Sequence, residues 1–255
     1  MYTKNERENY FQNVVSKIKG IQDVEGIIQL GSGTIGYSDR YSDIDLMIAT
    51  TEQVSLAKDF IKAELQRMGA FYIKEGKFSD EIFLLIPFFE NGLEMNLSVL
   101  STTHLNVKSP LWKLVFDRNG GVQSKMIEEN ENFLKQDQPY MKKFNITFEY
   151  AYHLRKLRIE VRRGNLIYAM KMLEVLRELT LTVQILNEQK KLHQFKAYHT
   201  LENDFVTQLM GSYPKLVGTT AIEQAAYTVT ELFKSKVMKN AMFDYDEQLF
   251  EIAEI

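Results

Sequence analysis

Apolar residues recur at intervals of three and four from residue 5 to residue 18, at Tyr10, Phe11, Val14, Val15 and Ile18, which predicts an amphipathic helix. "VEGIIQLGS", residues 24–32, reads as a short buried strand that ends in a glycine turn. "SDIDLMIAT", residues 42–50, alternates polar and apolar positions and then becomes wholly apolar, as a strand entering a core does. Helical spacing returns over residues 57–68, with Phe60, Ile61, Leu65 and Met68 as the expected buried face and Gly69 as the stop. "EIFLLIPFF" and "LEMNLSVL" flank Glu90-Asn91-Gly92 and predict a hairpin. "WKLVFDRNGG" predicts one more short strand closed by an Asn-Gly turn.

Beyond "KQDQPY" the period changes. Residues 141–163 and 166–186 are apolar at every third or fourth position, with no strand-like interruption. Gly164-Asn165 lies between them, a helix stop followed by a new N-cap. A third helix is expected over residues 219–238. The pattern therefore predicts an α+β protein: residues 1–136 form a mixed or mostly antiparallel sheet with helices on one side, and residues 137–255 form an all-α helical bundle. A ligand site is expected in the cleft between them.

Composition excludes more than it assigns. The 255 residues contain no cysteine, so disulfides, zinc–thiolate sites and thiol catalysis are absent. The first twenty residues are charged throughout and lack the apolar segment of a signal peptide. No stretch reaches the roughly 18 apolar residues of a membrane span. A cytoplasmic protein without membrane partners is expected. The net charge of −3 argues against a general nucleic-acid binder. Residues 1–137 carry 15 basic and 20 acidic side chains, residues 138–255 carry 16 and 14. His104, His153, His193 and His199 show no metal-ligand spacing and are read as structural.

Two motifs compete in "LGSGTIGYSDRYSDIDLMIAT", residues 30–50. Gly31, Gly33 and Gly36 form a literal G-x-G-x-x-G, the dinucleotide fingerprint. That motif needs a helix to start at its glycines and receive a pyrophosphate. Here a polar turn, "YSDRYSD", follows and leads into a strand, so the match is read as coincidence. The second motif is Gly31-Ser32, then Asp43-Ile44-Asp45. On a strand Asp43 and Asp45 share one face, while Ile44 and Leu46 enter the core. Two neighbouring carboxylates repel unless a cation lies between them. Mg²⁺ suits such ligands and completes its shell with phosphate oxygens. Gly31 and Ser32 would let a triphosphate approach the backbone. A third carboxylate should come from a neighbouring strand. In "GLEMNLSVL" the polar face is Glu94, Asn96 and Ser98, and Glu94 is its only acid. Glu94 is thus the candidate third metal ligand or general base.

These residues resemble the signature of the DNA polymerase β-like nucleotidyltransferases, and most specifically the antibiotic nucleotidyltransferases of the lincosamide- and aminoglycoside-modifying types. "ENGLEMNLSVL" resembles the strand that carries their third carboxylate, "LVFDRNG" their closing edge strand, and "EVRRGNLIYAMKMLEVL" a junction between two long C-terminal helices. The resemblance implies a polymerase β-like catalytic domain. It also implies that Asp43 and Asp45 bind two Mg²⁺ ions, that Ser32 contacts the nucleoside triphosphate, and that Glu94 serves as metal ligand or base. The last sixty residues match no motif of the family.

Arg155, Arg158 and Arg162 form one helical stripe. Arg158 and Arg162 are candidates for holding the triphosphate; a solvated face or salt bridges would explain the stripe equally. Tyr37, Tyr41, Phe144 and Tyr150 are candidates for bordering a substrate cleft, or core residues. The expected activity is Mg²⁺-dependent transfer of a nucleoside monophosphate, with ATP among the candidate donors, to a hydroxyl of a small acceptor, antibiotics included. An acceptor that is a protein or RNA end, a toxin–antitoxin role, a non-catalytic nucleotide-binding relative and a homodimer remain open.

Overall fold

The computed structural model describes residues 2–36, 41–136, 145–190, 197–216 and 218–254. The chain divides into two compact units, Met1–Pro139 and Tyr140–Ile255.

The first unit is built on a six-stranded sheet in the order β3-β4-β5-β2-β1-β6. Its strands are β1 (Val24–Leu30), β2 (Ile44–Thr50), β3 (Ala70–Ser79), β4 (Ile82–Phe89), β5 (Met95–Ser101) and β6 (Trp112–Asp117). Only β2 and β5 pair in parallel; the other neighbours are antiparallel. Alternation along the strands sorts the side chains onto two faces. Ile27, Ile44, Leu46, Ile48, Leu97 and Val99 join one core with Val14 and Ile18 of α1 (Lys4–Ile18) and Ile61 and Leu65 of α2 (Val54–Arg67). Ile28, Met47, Ala49 and Leu100 join a second core with Val122 and Met126 of α3 (Gly121–Leu134). Helices therefore cover both faces, where the sequence pattern predicts one.

The difference traces to α3. "DRNGG" reads as the turn closing a strand, and it also launches a helix. The Asp117 carboxylate accepts from the backbone N–H groups of Asn119, Gly120 and Gln123 at 3.2, 2.9 and 2.7 Å, satisfying amides that would otherwise be orphaned at the helix start. Only Val122, Met126 and Phe133 of α3 are buried, too few apolar anchors to stand out in the sequence. β3 is likewise absent from the sequence pattern. It is an edge strand, exposed over most of its length, so Phe71, Tyr72 and Phe78 face solvent and leave no polar–apolar alternation. α2 begins three residues earlier than predicted and buries Val54, Ala57 and Lys58 with Ile61 and Leu65, while Phe60 is exposed. The hairpin of β4 and β5 forms as predicted, with Gly92 at φ +83° in its turn.

The regular elements of the second unit are all helical among its described residues, the α-helices being α4 (Ile146–Arg162), α5 (Leu166–Asn187), α6 (Asn203–Gly211), α7 (Thr219–Val237) and α8 (Glu247–Glu254). The α4–α5 junction is the one the sequence predicts. Gly164 adopts φ +71°, and the Asn165 side chain accepts from the Tyr168 N–H. Residues 141–144 of the predicted helix lie outside the described residues, as do Tyr37, Phe144 and His193. Tyr150 is core, not cleft: its ring stacks on Phe233 with centroids 3.8 Å apart, and its hydroxyl meets the Thr230 hydroxyl at 3.2 Å. Burial pushes its phenol above the ordinary range. Arg177 is buried too, donating from Nε to Ser212 Oγ at 3.1 Å and lying over the Tyr213 ring. No helix among the described residues is long and apolar enough to cross a membrane.

Candidate active site

The parallel β2–β5 ladder positions the chemistry. Its first pairs are Ile44 with Met95 and Asp45 with Asn96. Residues paired across a ladder project to the same face, so Asp45 and Asn96 share a face, and Asp43 and Glu94, two residues earlier on each chain, share it with them. Ile44, Leu46, Met95 and Leu97 project to the other side and are buried there. The apolar positions thus anchor both strands and fix where the polar ones emerge.

Asn96 joins the two aspartates. Its Nδ2 donates to Asp43 Oδ2 at 2.8 Å and to Asp45 Oδ1 at 3.2 Å. Asp43 and Asp45 are therefore brought together as the alternation predicts. Glu94 is exposed at the end of the ladder, with an isolated bridge to Phe88 on its other side. Among the described residues no three His, Cys, Asp or Glu groups are gathered closely enough to hold one metal ion. The side chain beside the pair is the amide of Asn96, in a place where the sequence reading set Glu94.

Gly31 closes the site from β1. Its φ is +66°, in the left-handed region that favours glycine, and a Cβ there would stand 3.0 Å from Asp45 Oδ2. Backbone and carboxylate approach as closely as they do only because no side chain intervenes. Gly31-Ser32 opens a 3₁₀ turn over Gly31–Ile35, ended by Gly36 at φ +93°. The next described element is strand β2 and not an α-helix, so the dinucleotide reading of these glycines lacks the element it needs.

Two residues that the sequence reading did not single out, Tyr2 just before α1 and Arg7 within it, reach the same place. The Tyr2 hydroxyl and Arg7 Nη1 each donate to the Ser42 carbonyl at 3.0 Å, fixing the backbone just before Asp43. Both side chains are buried. Burial raises the Tyr2 phenol above its ordinary value; Arg7 opposes the shift, and the negative charges of Asp43 and Glu94 add to it. Arg7 looks in sequence like any charged position of an amphipathic helix, so no local signal marks it.

Arg155, Arg158 and Arg162 lie along α4 in the second unit, with Arg155 and Arg162 exposed and Arg158 half-buried.

The family model described as streptomycin adenylyltransferase matches residues 4–253. The chain belongs to that family. It is an enzyme, a nucleotidyltransferase of the polymerase β-like kind resembling the antibiotic nucleotidyltransferases. Among solved structures, an aminoglycoside 6-adenyltransferase from Bacillus subtilis aligns with 100% of this chain and 97% of its own length, at 13% identity and a TM-score of 0.41. A nucleotidyltransferase-like protein from Exiguobacterium sibiricum aligns over 96% of this chain and 79% of its own, at 14% identity and a TM-score of 0.39. No curated protein matches the chain significantly.

Proposed function

We propose that the enzyme transfers a nucleoside monophosphate, with ATP as the first donor to test, to a hydroxyl of a small acceptor such as an aminoglycoside or lincosamide, in a Mg²⁺-dependent reaction. The observation that carries this reading is the convergence of Asp43 and Asp45 on a single amide nitrogen, with the Gly31 backbone against Asp45. Carboxylate oxygens on one face fit a hard divalent cation that takes its remaining ligands from phosphate oxygens. When bound, one or two Mg²⁺ ions would neutralise the triphosphate and polarise its α-phosphorus.

The residues then divide the work. Asp43 and Asp45 hold the metal, and Gly31 and Ser32 accommodate the triphosphate along the backbone. Glu94, exposed and on the same side, accepts the proton of the attacking hydroxyl. The acceptor oxygen forms a bond to the α-phosphorus, the bond to the β-phosphate oxygen breaks, and pyrophosphate leaves with its electron pair. A reaction that consumes nucleoside triphosphate carries a cytoplasmic setting with it.

A second reading, a nucleotide-binding relative without chemistry, is favoured by one observation: the absence of a three-group metal cluster among the described residues. One experiment separates them. The full chain is incubated with α-labelled triphosphates, Mg²⁺ and a panel of aminoglycosides and lincosamides, with RNA and protein acceptors as further arms. Labelled small acceptor supports the first reading. Triphosphate binding without transfer to any acceptor supports the second, and label on RNA or protein alone moves the acceptor to a macromolecule.

A further inference from the structure

We infer that Asn96 is the positioning residue of the Asp43–Asp45 pair, its amide bridging the two carboxylates in the metal-free protein and turning its oxygen to the cation when one binds. The inference rests on the reading of that pair as metal-holding. Its grounds are the ladder and the hydrogen bonds. Asn96 is the partner of Asp45 in register, and its Nδ2 lies 2.8 Å from one aspartate and 3.2 Å from the other.

Two carboxylates this close destabilise each other when both are ionised. A primary amide is suited to the gap because it has two N–H donors, one for each acid, and carries no net charge. An aspartate in the same position would have no proton to offer and would add a third negative charge. The amide also has a second state. Oxygen and nitrogen have nearly the same shape, and the last torsion of asparagine is broad and roughly two-fold, so a half-turn exchanges them with little movement. An amide oxygen is an accepted ligand of hard divalent cations. The same side chain thus holds the pair before the cation arrives and offers it an oxygen afterwards. This leaves Glu94 outside the ligand set and available for the proton.

The charge consequence is specific. Two formal carboxylates next to the cation, not three, hold it less tightly and leave more of its shell to the triphosphate. The test uses the full chain and Mn²⁺ alone, followed by electron paramagnetic resonance and by thermal unfolding with and without the ion. Asn96→Asp should bind Mn²⁺ about tenfold more tightly or better, because it adds a charge beside the ion. Its metal-free form should melt below the native protein, and Mn²⁺ should raise its melting temperature by more than it raises the native one. Asn96→Ala should bind Mn²⁺ about tenfold more weakly. Asn96→Asp is isosteric and decides the matter alone if the alanine variant does not fold. Native-like Mn²⁺ affinity in both variants, with binding lost in Asp43→Asn, would overturn the role of Asn96 and leave the metal reading standing. A native protein that binds no Mn²⁺ would overturn both.

Discussion

The Tyr2 hydroxyl donates to the carbonyl of Ser42, forty residues away, and the Arg7 guanidinium donates to the same oxygen. The residue before Asp43 is therefore held by two side chains, Tyr2 just ahead of α1 and Arg7 within it. A catalytic carboxylate is useful only if its position is fixed within a fraction of an ångström, and here the fixing comes from outside the sheet. Tyr2→Phe removes one of the two hydrogen bonds and should cost about 1 kcal/mol in urea unfolding. Arg7→Met removes the other together with a buried cation. The two losses should be non-additive in a double-mutant cycle, since the groups share an acceptor. Both variants should lower kcat more than they raise KM.

Asp43→Asn and Asp45→Asn each keep an oxygen that can accept from Asn96, so the fold should persist by circular dichroism and thermal unfolding. Each removes a charge on which the proposed metal site depends, and Mg²⁺-dependent turnover should fall by about 10²-fold or more. Full activity in both variants would show that the pair is not the metal site.

Gly31→Ala meets two penalties at once. The backbone has φ +66°, and the new methyl would press on Asp45 Oδ2 at 3.0 Å. A non-glycine residue in such a conformation costs about 1–3 kcal/mol, measurable in denaturant unfolding. Displacement of Asp45 should reduce turnover beyond what the stability loss explains. Gly36→Ala would have no atom of the described residues within 4 Å of its Cβ and tests the effect of positive φ.

Glu94→Gln keeps size and removes the proton acceptor. If Glu94 is the general base, kcat should fall by about 10²- to 10⁴-fold with KM little changed. On the proposed division of roles, which leaves Glu94 out of the ligand set, Mn²⁺ affinity should stay close to native. A variant with native kcat would move the proton to another group.

Glu75 of β3 lies between Lys58 and Lys62 of α2, at 2.7 and 2.9 Å. Those hydrogen bonds, Lys58 first, hold its carboxyl below the ordinary range. A carboxyl whose pKa is lowered by folding stabilises the protein above its unfolded value, about 4.3, and the stabilisation is lost as pH falls through the folded one. Glu75→Gln should therefore cost up to about 1 kcal/mol near neutral pH. The difference from native should shrink on acidification below about pH 4, as followed by unfolding at a series of pH values.

The sequence by itself determined whatever depends on neighbours along the chain. Strand alternation put Asp43 and Asp45 on one face, and the Gly-Asn pair at 164–165 ended one helix and capped the next. The polar turn after Gly36 told against a dinucleotide loop, and the turn glycine at 92 marked the hairpin. Each rests on a local period or a backbone conformation that few residues adopt. What only the tertiary structure decided depends on register between distant segments. The polar face Glu94, Asn96, Ser98 was legible, but the residue that meets the aspartates was not, because it depends on where β5 slides along β2. Formal charge pointed to Glu94; the side chain that hydrogen-bonds both aspartates is Asn96. Tyr2 and Arg7 were hidden for the same reason, since a pattern along the chain shows which positions are buried and not which carbonyl a buried side chain meets. α3 and β3 escaped because one has few apolar anchors and the other lies at an exposed edge, so neither leaves the periodic trace that burial imposes.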